Sequence, residues 1–184
     1  APFDRFDKAT MIVGGAALLA WVAMPAAPRA APFFGALFIV AGALNFARLV
    51  RWAPDRVWAE KLVAVLHVAY AFIPLGFALA AASAFTASRA FDMAAIHCWA
   101  IGGIGLMTLA VMTRATRGHT GNALVAPPST SLLYALLAAA AIARIAAVFL
   151  QDSTAALTIA GLCWTLAFAG FAILYGPMCV GRRS

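Results

Sequence analysis

Long apolar blocks alternate with short polar breaks along the whole chain. The first block, Met11 to Met24, follows a polar lead from Asp4 to Lys8 and ends at Pro25 and Pro28. With Ala9, Thr10, Ala26 and Ala27 added, it approaches the roughly 20 residues a helix needs to cross a bilayer. The second, Phe33 to Val50, is entered through Pro32, a residue suited to the first turn of a helix. Four more spans are predicted at Val57 to Phe85, Met93 to Thr113, Ser131 to Leu150 and Ala155 to Met178. The breaks are short, as for antiparallel neighbours in a bundle. The pattern predicts an all-α integral membrane bundle of six transmembrane helices, a single domain over residues 1–184.

Composition agrees. Hydrophobic residues make up 65% of the chain and charged residues 10%, and the mean hydropathy is +0.96. Soluble domains carry about a quarter charged residues. The net charge of +7 raises the question of nucleic acid, which topology answers. Alternating spans put Arg5, Lys8, Arg48, Arg51, Arg56, Lys61, Arg114, Arg117, Arg182 and Arg183 on one side, leaving only Arg29 and Arg89 opposite and Arg144 inside a helix. That asymmetry follows the positive-inside rule, so both termini are expected in the cytoplasm and no nucleic-acid partner is expected. Apolar blocks recur to the end of the chain, so the first is read as a span and not as a removable signal peptide. Cys98, Cys163 and Cys179 form no paired framework and are read as reduced.

Polar residues inside the spans are the candidates for chemistry, because unpaired polar groups in hydrocarbon are costly. His67, Tyr70 and Pro74 fall at i, i+3 and i+7, which gives one helix stripe an imidazole, a phenol and a kink. His97 stands near the outer start of the fourth span. Arg144, well inside the fifth, reaches a similar level, so the two can face each other. Asn45 and Arg48 share a face, and Arg48 is close enough to the boundary to snorkel out. His67 and His97 are candidate metal ligands, to haem iron or copper, or else histidines hydrogen-bonded between helices as packing groups. Helical rise separates them by roughly 9 Å along the membrane normal, which argues against one haem lying between them with its plane along that normal. Arg144 is a candidate partner for a propionate or an anionic ligand, and Tyr70 a candidate donor to a bound ligand or across helices.

The stretch from Ile96 to Asn122 holds two of the three histidines. Gly102, Gly103 and Gly105 permit close approach of either a helix or a planar cofactor. Its polar end, Gly118, His119, Thr120 and Gly121, lies beside Arg114 and Arg117 and is either an anion-holding turn or a plain helix end. His119 is expected in a cytoplasmic loop as a reserve ligand. Met107, Met112 and Cys98 are soft enough for copper but are commoner as packing residues. Walker, dinucleotide, HExxH, hydrolase-elbow and CxxCH motifs are absent, and the lack of CxxCH excludes the usual c-type attachment while leaving b-type haem open.

Taken together, Arg48, Arg51 and Trp52, then Leu66, His67 and Tyr70 with Pro74, Leu75 and Gly76, then His97 with IGGIGLMTLAVMTRATRGHTG, and finally Tyr175 to Met178 closely resemble the NnrS family of bacterial membrane proteins. The VMTRA and GHTG strings are the most specific, and the resemblance covers essentially the whole chain. It implies a haem- and copper-containing inner-membrane protein linked to nitric oxide metabolism, denitrification and defence against nitrosative stress. Family members resembled here are about twice as long, and this chain looks like their C-terminal half, two such halves of even span number forming a parallel repeat. Asn122 departs from the family pattern, which usually has arginine after GHTG, and this weakens the anion-holding reading of that turn. The resulting expectation is a b-type haem protein of the bacterial inner membrane. It has His67, His97 and His119 as metal ligands, and Arg114, Arg144 and Tyr70 as cofactor-binding residues. Its expected partners are the bilayer, nitric oxide, and a second six-helix half or a membrane redox complex. A transporter, or an assembly or accessory subunit of such a complex, is the alternative.

Overall fold

The first helix starts earlier than its apolar block because a reciprocal cap starts it. In the computed structural model, which describes residues 3–52 and 57–181, the Asp4 carboxylate accepts from the Asp7 amide at 3.0 Å and the Asp7 carboxylate accepts from the Asp4 amide at 3.1 Å. α1 therefore spans Arg5–Ala23, and most of the predicted polar lead is helical. Two short 3₁₀ turns, Met24–Ala26 and Pro28–Ala30, lead into α2 (Ala31–Arg51). α3 (Lys61–Thr86) begins a few residues after the predicted Val57, which lies in a turn. Arg56, Arg182 and Arg183, counted above on the basic side, lie outside the described residues.

The fourth span is composite. It consists of α4 (Arg89–His97), a π-helical stretch (Cys98–Gly105) and α5 (Leu106–His119), and it extends beyond the predicted Met93 to Thr113 at both ends. α6 (Pro128–Ala147) and α7 (Thr154–Val180) complete the bundle. Six segments are long and apolar enough to cross a membrane, and the described residues contain no strand, so the protein is an all-α membrane bundle.

α3 is its axis, with 56% of its most apolar window buried against 11% for α7. One side of α3 packs Leu62, Val65 and Ala69 against Leu106, Leu109, Leu133 and Leu137. The other packs Phe77, Ala80 and Ala81 against Ala17, Phe38 and Ala41 of α1 and α2. Contact with the π stretch depends on missing side chains. A methyl group on Gly76 would lie 2.1 Å from Trp99 Nε1, and one on Gly102 would lie 2.2 Å from Phe72 Cγ. Trp99 Nε1 donates to the Ile73 carbonyl at 3.2 Å, one residue before Pro74, which lies inside the continuous α3. Phe72 and Ile73 fill the space over Gly102 and Gly103, so these glycines serve helix packing. Leu19, Ile104 and Ile173 are among the large apolar side chains turned outward, as lipid contact requires.

Helix ends meet at the basic end of the bundle. Arg51 near the end of α2 pairs with Asp4 before α1, and Thr116 of α5 lies 3.8 Å from Cys179 of α7. Both described ends of the chain are therefore at this end.

Candidate functional site

His67 sits on α3 facing the end of α2, and it is buried. Its Nδ1 lies 3.2 Å from the Val63 carbonyl one turn earlier, an acceptor only, so Nδ1 carries the proton. Nε2 is then left with its lone pair, and it is buried without a hydrogen-bond partner among the described residues. An unmet acceptor of this kind costs about 1–3 kcal/mol and calls for an explanation.

The neighbouring polar groups are satisfied by one another. Tyr70 donates its hydroxyl to Asn45 Oδ1 at 2.7 Å, and Asn45 Nδ2 donates to the Ala41 carbonyl at 2.8 Å. Arg48 Nη1 donates to the Tyr70 oxygen at 3.4 Å. Arg48 Nε lies 2.9 Å from Asp7 Oδ1, close enough for an ion pair although its N–H is not aimed along that line. Trp52 closes the cluster. Its ring centroid is 5.9 Å from that of His67 and 4.8 Å from that of Tyr70, and the Arg48 guanidinium carbon sits 5.1 Å from it. Arg48 thus turns inward instead of snorkelling, because the first turn of α1 supplies a buried carboxylate for it to meet. Nearer the surface, Arg51 pairs with Asp4 at 2.5 Å, and this hydrogen bond holds the Asp4 carboxyl down at about 2.

The remaining candidates lie elsewhere. His97 is half-buried at the last residue of α4, where the π stretch begins, and Arg144 is on α6, which packs against α4. Arg144 is itself half-buried and, among the described residues, has neither an ion-pair nor a hydrogen-bond partner. His119 is the last residue of α5 and not part of a loop. With Arg114 it is exposed on an open groove of about 440 Å³ that Leu66 and Leu124 also line. Cys98 is buried, and Met107 and Met112 are half-buried. The structure thus brings together His67 with Tyr70, His97 with Arg144, and Arg114 with His119, as three separate places. Among the described residues, no group of three or more His, Cys, Asp or Glu converges to hold a metal ion.

Asp7 and Trp52 were not among the sequence candidates, and Arg48 was given only a surface role. A signal was present in the spacing. Asp4 and Asp7 are three apart, Arg48 and Arg51 are three apart, and α1 and α2 run antiparallel, so the two acids meet the two arginines in register.

No curated protein and no solved structure matches the chain. The family described as NnrS protein matches residues 1–183, essentially the full length, and the chain therefore belongs to the NnrS family.

Proposed function

We propose that this chain is a bacterial inner-membrane protein that binds b-type haem through His67 and takes part in nitric oxide metabolism or nitrosative-stress defence. Membership of the NnrS family supports, at family level, a nitric-oxide-related haem and metal protein of the membrane. Six apolar helices support a multi-pass protein.

The observation that carries the reading is the buried Nε2 of His67, which has no partner among the described residues. A neutral imidazole with Nδ1–H held by a carbonyl is the form that ligates iron, and the second hydrogen bond fixes the ring's orientation. The residues present therefore fit the group. When bound, haem supplies an iron that takes nitric oxide or exchanges one electron with a neighbouring redox protein. The chain's own part is to orient His67 through Val63, to flank it with Trp52, and to keep the Tyr70 hydroxyl engaged with Asn45 and Arg48. His97 and Arg144 form a second place, a metal ligand beside a charge partner for a propionate or an anionic ligand. Arg114 and His119 offer the same pair of roles at the basic end. Copper enters this reading only through the family. A second six-helix half or a membrane redox complex is the expected partner.

The test is an absorption spectrum with iron and copper analysis on the purified wild type and on His67→Ala and His97→Ala. A Soret band with stoichiometric iron, lost in His67→Ala, is the expected result. A wild type with neither band nor metal, under conditions that keep haem in a control cytochrome, would sink the reading.

A further inference from the structure

We infer that Asp7 and Arg48 form a charge pair that sets the reduction potential of the iron held at His67, with Arg48 raising it and Asp7 opposing. This rests on the haem reading above. The pair is placed asymmetrically. Arg48 lies against Trp52, the ring that packs on His67, and against Tyr70, which also packs on Trp52, whereas Asp7 touches the guanidinium from the α1 side. The centroid distances through Trp52 put the guanidinium carbon within about 11 Å of the imidazole, where a charge in a protein interior still acts appreciably.

Stability does not account for such a pair. A buried ion pair is often no more stabilising than well-packed apolar residues of the same volume. Here the pair is also tied into a fixed network. Arg48 reaches the Tyr70 oxygen, Tyr70 donates to Asn45, and Asn45 is anchored on Ala41, so the guanidinium is held in place relative to α3. A positive charge fixed there favours the reduced iron, which carries one positive charge fewer. The carboxylate on the far side weakens that effect and keeps the half-buried arginine turned inward.

The experiment is a potentiometric titration of the full chain in detergent, followed at the Soret band, for the wild type, Arg48→Gln, Arg48→Lys and Asp7→Asn. Arg48→Gln is expected to lower the equilibrium constant for one-electron reduction on the order of tenfold, about 59 mV. Asp7→Asn is expected to raise it by less than that, and Arg48→Lys, which keeps the charge, to stay near the wild type. Opposite signs for the two charge removals are something a merely structural role would not produce. Shifts of the same sign, no shift, or an Arg48→Lys shift as large as that of Arg48→Gln would overturn the inference. If Arg48→Gln fails to fold, the sign of Asp7→Asn against an unmoved Arg48→Lys decides. A wild type without a Soret band would instead overturn the haem reading itself, so the two failures are told apart.

Discussion

The basic end of the bundle satisfies its polar groups in two different ways. On the α5, α6 and α7 side, neutral hydroxyls close on one another. Thr113 donates to the Ala110 carbonyl at 2.9 Å and accepts from Tyr134, and Thr130 pairs with Tyr175 at 2.5 Å. On the α1, α2 and α3 side, charges and an amide are linked through Asp7, Arg48, Tyr70 and Asn45, and the chain stops at His67 with one acceptor unmet. A closed set of hydrogen bonds stabilises helix packing and asks for nothing further. An open one, built at the cost of burying a carboxylate, leaves an acceptor unmet among the described residues, and the proposed ligand is assigned to that acceptor.

That contrast fails outright if His67→Ala keeps its haem, since the open acceptor is the ground for it; complete loss of the Soret band is expected, with the band retained in Thr113→Val. The next effect concerns stability. Asp7→Ala strands a half-buried arginine and is expected to cost about 3 kcal/mol, read from the thermal midpoint of the purified protein. On the neutral side, Thr113→Val leaves the buried Tyr134 hydroxyl without its acceptor, and a smaller loss of about 1–3 kcal/mol is expected with the spectrum unchanged. The smallest effect belongs to the exposed pair. Asp4 has its carboxyl lowered from an ordinary 3.8 to about 2, chiefly by its hydrogen bond to Arg51, so its contribution is present above pH 3.8 and fades as pH falls through about 2. Wild type and Asp4→Asn should therefore differ slightly at neutral pH and converge in that acid window.

Much of this was legible in the chain. Six apolar blocks gave six spanning segments because length and hydropathy alone decide them. His67 stood out because an ionisable group in a span is rare. The start of α1 was misplaced because a capping box, not apolarity, sets it. Asp7 carries no predicted role, and Trp52 enters only among the residues of the family resemblance, because an aspartate in a polar lead and a tryptophan after the last turn of a helix look like boundary residues; the packing against Arg48 and His67 gives them their place. The π stretch could not be read at all, since an apolar segment has no polar face whose drift would expose a change of helical period.

That stretch works as a gear between the two ends of its span. An i to i+5 helix advances less per residue than an α-helix, so Cys98–Gly105 holds surplus chain that fixes the angle at which α5 leaves α4. Forcing all eight of its residues into α geometry would overwind the segment and swing everything after it about the helix axis. Leu106, Leu109 and Thr113 would leave the core, and Arg114 and His119 would face a different neighbour. Removing one residue there instead lets the stretch relax to α geometry with the facing of α5 roughly kept, so a single-residue deletion should do less damage here than in the α-helical parts of the same span.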